Sequence, residues 1–186
     1  QFTEHAQASS VNRRLSTLKR YYRWQCERGR LADNPCDLVD APRRVRYLPR
    51  TLTEAQVEAL LGAPDGATAL GERDRAMLET MYSAGLRVSE LVGLNDDDVD
   101  NSAGIVRVRG KGRKERLAPV GSYAHKALER WLNERKLAES LKRSTSPPIF
   151  TNKFGKRLTT RSVGRLLEKH IETAGLDRRT TPHTLR

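Results

Sequence analysis

The chain has 186 residues, enough for one domain of usual size or for one domain and part of another. Lysine and arginine number 35 against 23 aspartate and glutamate, and the net charge of +12 argues for a polyanionic partner, nucleic acid before membrane. Two cysteines and four histidines form neither a disulfide framework nor a zinc pattern, and no apolar run approaches the ~20 residues of a membrane helix, so the expectation is a cytoplasmic protein with no metal and no cofactor.

Residues 9–28, SSVNRRLSTLKRYYRWQCER, read as an amphipathic helix with Val11, Leu15, Leu18, Tyr22 and Cys26 on one face and Gly29 as its terminator. This segment carries too little apolar surface to fold alone and reads as part of a small helical domain. Residues 33–53 contain three prolines and have the composition of a linker. Within it, Arg43, Arg44, Arg46 and Arg50 carry positive charge with no acid between Pro42 and Thr51, which suits either a solvated linker or phosphate contact.

Helical patterning resumes at TLTEAQVEALLGAP, where Thr53 and Gln56 have capping-box spacing and Val57, Leu60 and Leu61 form the apolar face. A second helix spans GERDRAMLETMYSAG, with Ala76, Met77, Met81 and Tyr82 inward and Gly85 at its end; the short helix RVSELVGL follows. The period then changes from about 3.6 to 2. GIVRVRGKGRKERLAPV alternates Ile105, Arg107 and Arg109 against Val106 and Val108, with a hairpin turn at residues 110–112. A long helix over SYAHKALERWLNERKLAES puts Ala124, Leu128, Trp131 and Leu132 inside. PIFT reads as a short buried strand, and TTRSVGRLLEKHIETAG as a helix built on Val163, Leu166, Leu167 and Ile171. Thr181 and Pro182 then have the N-cap and first-position signature of a last helix. The fold class is α+β and mostly α: a helical domain with a small antiparallel sheet, preceded by part of a second, smaller helical domain.

Three constellations carry chemistry. Arg87 opens the short helix, where the dipole favours an anion rather than a cation; either an anion sits between guanidinium and backbone amides, or Arg87 pairs with a carboxylate such as Glu90. Lys111 stands between two glycines at the hairpin tip, placed to project a flexible ammonium or to act as a proton donor. Arg113 and Lys114 follow it, within a stretch of six basic residues and one acid from Arg107 to Arg116. His183 and Arg186, three apart at a helix start, share one face and can both donate to phosphate oxygens. Together they offer cationic donors for a phosphorus centre whose charge rises as it becomes five-coordinate, which predicts phosphoryl transfer on a nucleic-acid backbone without metal.

AMLETMYSAGLRVSELVGL, VRVRGKGRKERLAPV and TPHTLR, in that order, resemble the tyrosine recombinases, or phage-integrase family, and within it the Xer branch; LPRTLTEAQVEALLGAPD and ERDRAML resemble XerD in particular. The resemblance implies DNA strand cleavage and rejoining through a 3′-phosphotyrosyl intermediate, as in chromosome dimer resolution. It implies a catalytic set of Arg87, Lys111, His183 and Arg186, with Lys111 as general acid on the leaving 5′ oxygen. It further implies double-stranded DNA as partner, with a paralogue or a second copy in a tetramer on it; the basic linker and hairpin residues Arg43, Arg44, Arg113 and Lys114 are the expected DNA contacts by their charge. Residues 1–40 resemble the second half of the family's core-binding domain, 41–50 its linker, and 51–186 its catalytic domain. By this resemblance the chain lacks the segments that precede and follow, including the tyrosine nucleophile. The five tyrosines, Tyr21, Tyr22, Tyr47, Tyr82 and Tyr123, all precede the His-x-x-Arg motif. The competing reading is a DNA-binding module that never cuts; it explains the charge but not the ordered survival of four catalytic-type residues.

Overall fold

The computed structural model describes residues 7–42, 51–110, 115–137, 141, 144–177 and 179–185, with 182 and 183 described by backbone alone. Arg43, Arg44, Lys111, Arg113, Lys114 and Arg186 lie outside the described residues. The chain divides into two compact units, Gln1–Leu48 and Pro49–Arg186.

In the first unit, helix α1 spans Ala8–Glu27. It ends as its sequence requires: Gly29 takes φ +67°, which frees the Gly29 N–H to reach Cys26 O (2.8 Å) and the Arg30 N–H to reach Gln25 O (3.0 Å). The expected apolar face is only half-covered. Val11, Leu15, Tyr22 and Cys26 are half-buried and Leu18 is exposed. The helix's one buried residue is Asn12, whose Nδ2 donates to Pro42 O at 2.9 Å. Among the described residues this unit has no buried apolar side chain.

The second unit begins with α2, Glu54–Gly62, closed by the expected capping box: Thr53 N–H donates to Gln56 Oε1 (3.0 Å) and Gln56 N–H to Thr53 Oγ1 (3.3 Å). Helix α3, Ala69–Ala84, starts earlier than its periodicity predicts, because the Thr68 hydroxyl caps the Gly71 N–H at 3.0 Å. Its inner face is Ala76, Met77, Leu78 and Met81. Tyr82, expected inward, is 48% exposed, because it lies one step past that face. Gly85, at φ +56°, ends the helix and turns the chain into α4, Val88–Gly93.

A three-stranded antiparallel sheet follows, β1 Val99–Asp100, β2 Ile105–Arg109 and β3 Glu115–Pro119, in the order β1-β2-β3. The β2–β3 register sets Val106 opposite Ala118 and Val108 opposite Arg116. Val106, Val108 and Ala118 are buried while Arg107 and Leu117 face outward, which is the alternation expected of a sheet covered on one face. The strand β1 has no counterpart in the sequence pattern, being only two residues long.

Helix α5, Ser122–Glu134, packs against α3. Its apolar periodicity predicts a longer helix, but Arg135 turns extended and commits its guanidinium to both carboxylate oxygens of Asp96 (2.7 and 2.8 Å) and to Pro148 O (2.7 Å). The PIFT segment is buried at Ile149, Phe150 and Thr151 yet forms only isolated bridges, Asn95 with Pro148 and Thr151 with Arg157. Two successive prolines at its start supply no N–H to extend a ladder. Helix α6, Thr160–Thr173, is capped by Thr159 and buries Val163, Leu167 and Ile171. Helix α7, Pro182–Leu185, begins where Thr181 and Pro182 predict, and Leu185 enters the core. That core also holds Trp131, Phe150, Leu60, Leu86, Leu91 and Leu94, each of the leucines contributing about 1.5–3 kcal/mol of burial.

Two polar devices lock the frame. Arg73 pairs with Asp74 (2.6 Å) and donates to Thr151 O (3.1 Å), while Asp74 also meets His170 of α6. The acidic turn Asn95–Asp98 is held by arginines from three different segments: Arg135 on Asp96, Arg109 on Asp98, and Arg157 on Asn95 Oδ1 and on Val92 O (2.7 Å). This turn joins the C-terminus of α4 to the foot of the hairpin and thereby fixes the two elements that form the site.

Candidate active site

Arg87 precedes α4, and the anion its position demands is supplied by its own helix. Glu90 sits one turn on, buried, with both carboxylate oxygens occupied. Oε2 accepts the Arg87 backbone N–H at 2.9 Å and Oε1 accepts Arg87 Nη1 at 2.8 Å. Of the two readings the sequence leaves open, the contacts show the carboxylate pair. The pair does not exhaust the guanidinium: the Arg87 side chain is 54% exposed, and among the described residues Glu90 is its only partner.

Glu90 also accepts Arg116 Nη2 on Oε2 at 3.1 Å. Burial works against the charged form of Glu90. The hydrogen bonds from the Arg87 N–H, the Arg87 guanidinium and Arg116 outweigh it, and the carboxyl is held below its ordinary value. Arg116 makes longer contacts to Ala84 O (3.5 Å) and Gly85 O (3.4 Å), the last carbonyls of α3. A cation at a helix C-terminus is favourably placed.

Arg109, on the adjacent strand, is balanced differently. Its guanidinium reaches Asp98 through Nη2 (2.8 Å) and Nη1 (3.0 Å), and Glu115 through Nε (3.1 Å). The Glu115 bond and the Asp98 charge hold its proton more firmly than usual. Arg87, Ser89, Glu90, Arg109, Gly110, Glu115 and Arg116 line one cleft. Arg109 faces two carboxylates, whereas Arg87 and Arg116 share one. The cleft therefore keeps an unbalanced positive charge on the α4 side, the requirement for holding a phosphate.

Of the residues singled out from sequence, Arg87 stands in this cleft. Gly110, the last described residue before Lys111, lines it too, so Arg87 and the root of the lysine hairpin meet. The backbone of His183 lies in α7, where the Thr181 N–H donates to Thr184 Oγ1 at 3.2 Å. Sequence reasoning passed over Arg116 as one cation among many. The signal that could have found it is its parity: Arg116 and Ala118 share a strand face, and Ala118 is buried, so Arg116 points inward toward α3 and α4.

Among the described residues no group of His, Cys, Asp and Glu is arranged to hold a metal, and no helix is long and apolar enough to cross a membrane.

The profile of the phage integrase family matches residues 50–186. The tyrosine recombinase XerC of Myxococcus xanthus is 42% identical over 186 residues, covering 99% of this chain and 62% of that protein. The tyrosine recombinase XerD of Pseudomonas putida is 43% identical over 177 residues, covering 95% of this chain and 59% of that protein. These identities do not separate the XerC branch from the XerD branch. The chain spans about three fifths of the length of these curated relatives. Among solved structures, the Tn1549 transposon integrase in complex with circular intermediate DNA aligns with a TM-score of 0.80 at 22% identity, over 98% of this chain and 65% of that one. The XerA recombinase aligns with a TM-score of 0.64 at 24% identity, over 99% of this chain and 61% of that one. At such identities these likenesses speak for the fold. The family match over most of the chain, on a fold whose cleft between α4 and the hairpin carries excess positive charge on the α4 side, shows that the chain belongs to the phage integrase family, the tyrosine recombinases.

Proposed function

We propose that the protein acts as a Xer-type site-specific DNA recombinase, and that residues 51–186 form the part of its catalytic domain that holds the scissile phosphate. The observation that carries this reading is the half-exposed Arg87 guanidinium, fixed by Glu90 in a cleft that runs to the root of the Lys111 hairpin. In the reaction, a tyrosine hydroxyl loses its proton to solvent as its oxygen attacks the phosphorus, a Tyr O–P bond forms and the P–O5′ bond breaks. Lys111 gives its proton to the departing 5′ oxygen. Arg87, His183 and Arg186 stabilise the added negative charge on the non-bridging oxygens, the role that preorganised cationic donors fill elsewhere. No residue among the five tyrosines is assigned as nucleophile.

Double-stranded DNA is the substrate and partner, contacted through Arg43, Arg44, Arg113 and Lys114. DNA as the partner is supported by two proteins that share this fold, the Tn1549 transposon integrase in complex with circular intermediate DNA and a lambda integrase dimer bound to a core site. A second copy or a paralogue completes a tetramer on DNA, and chromosome dimer resolution is the process the Xer relatives suggest. Residues 1–40 belong to a core-binding domain and 41–50 to a basic linker. The protein works in the cytoplasm, on the nucleoid.

The test is covalent complex formation by the whole protein on a nicked duplex that traps the cleaved state. Wild-type protein is expected to form a complex, and Arg87→Ala and Arg186→Ala to lose it. Complex formation unchanged by both substitutions would sink the assignment.

A further inference from the structure

Arg116 and Arg87 reach the same buried carboxylate from two different elements, and they spend the rest of their donors in opposite directions. The Arg116 Nη atoms point inward, to Glu90 Oε2 and to the last carbonyls of α3. Arg87 gives Glu90 its backbone N–H and Nη1 alone, and among the described residues its Nε and Nη2 make no hydrogen bond. Both side chains line the cleft, but both Nη atoms of Arg116 are committed to the frame, whereas Arg87 keeps donors free for the cleft.

Glu90 needs both. Its side chain is 4% exposed, and a carboxylate so buried is costly unless its lone pairs are filled. Without Arg116, Oε2 keeps a single backbone donor and the carboxylate has one counter-charge, which is itself half in solvent. The carboxylate would then be freer to rotate, and Arg87 would lose the fixed partner that aims it. The link also has a topological consequence. Arg116 lies on β3 opposite Val108 of β2, so the same strand pair that carries the Lys111 turn is tied to the N-terminus of α4.

We infer that Arg116 is a positioning residue: from β3 it holds Glu90, and through Glu90 it fixes the Arg87 guanidinium for the scissile phosphate. This rests on the recombinase reading above. It is distinct from a DNA contact by Arg116 itself: although its side chain is 41% exposed, both its Nη atoms are taken up by Glu90 and the last carbonyls of α3.

The experiment compares wild type, Arg116→Gln, Arg116→Lys, Arg87→Ala and the Arg87→Ala/Arg116→Gln double variant, in the whole protein. The nicked substrates carry either an ordinary phosphate or an uncharged methylphosphonate at the cleaved position. On phosphate, Arg116→Gln is expected to slow complex formation about tenfold or more, the loss of a charge-assisted hydrogen bond, with Arg116→Lys recovering part of it. The double variant should match Arg87→Ala within about threefold, since both act through one guanidinium. On methylphosphonate, where there is less charge to stabilise, the Arg116→Gln defect should shrink. Multiplicative losses in the double variant, or a defect that persists unchanged on methylphosphonate, would overturn the inference. A second readout separates this from failure of the recombinase reading: nitrogen NMR of the Arg87 guanidinium. Restricted rotation in wild type, lost in Arg116→Gln and kept in Arg116→Lys, supports the positioning role even if no covalent complex forms. Unaltered rotation in Arg116→Gln refutes it.

Discussion

His170 Nε2 lies 2.9 Å from Asp74 Oδ2, both side chains almost wholly buried, and so α6 is pinned to α3 across 96 positions of chain. Asp74 faces Arg73 on its other oxygen, so its removal leaves a buried guanidinium without a counter-charge. Asp74→Ala is expected to destabilise the protein by about 3–5 kcal/mol, whereas Asp74→Asn, which keeps an acceptor toward Arg73, costs less. Urea denaturation midpoints of the two variants measure the difference. Equal midpoints for Asp74→Ala and wild type would show that the network is dispensable.

The Glu90 carboxyl is held below its ordinary value although burial opposes it, because Arg87 and Arg116 donate to the ionised form. With the folded value depressed, Glu90 stabilises the protein fully above the unfolded carboxylate range, near about 4.3, and that contribution is lost as pH falls through the lower folded value. Glu90→Gln is therefore expected to be less stable than wild type at pH 7 by about 1–3 kcal/mol, with the gap closing on acidification. Chemical denaturation at neutral pH and at pH 3 checks this. A gap that stays constant would mean that the charge of Glu90 contributes nothing.

Glu79 has the opposite sign. Burial raises its carboxyl above the ordinary value, and the nearby Arg75 charge only partly offsets this. The folded state then binds more protons than the unfolded one, so stability falls as pH rises through the folded value. Glu79→Gln is expected to stabilise the protein at pH 7 by about 0.5 kcal/mol, given solvent screening at this half-buried site, and to have no effect at pH 3. A thermal midpoint at pH 7 below that of wild type would refute the expectation.

These contrasts show which parts of the molecule were legible in the sequence. The capping box of Thr53 and Gln56, the left-handed turns at Gly29 and Gly85, and the alternation of β2 are local. Their causes lie within a few residues, and each was readable. The premature end of α5 was not, because Arg135 leaves the helix to hold Asp96, 39 positions away. The same holds for the site. Arg87 could be found from its place before a helix, and Glu90 stood beside it as an option. Arg116, by contrast, acquires its meaning only from the hairpin register that brings it against α4. Buried Asp74, Arg73 and His170 carry no mark in the sequence either, since charged residues on a helix are as a rule solvated.

Reversal of Arg43 and Arg44 to Glu tests the DNA partner independently of the cleft. Contacts to phosphate carry affinity but no sequence information, so binding to duplex DNA should weaken alike on different sequences. Each phosphate contact removed lowers the steepness of log K against log salt by about 0.9, so a slope shallower by about two is expected if both arginines lie on phosphates. The measurement is equilibrium binding to two unrelated duplexes across a salt series, with the single Arg43→Glu and Arg44→Glu variants beside the double. If the slope and the affinity at moderate salt matched wild type, residues 41–50 would be a solvated linker, and the net charge of +12 would act on DNA elsewhere. If affinity fell on one duplex only, the two arginines would read bases, and the phosphate assignment would be wrong.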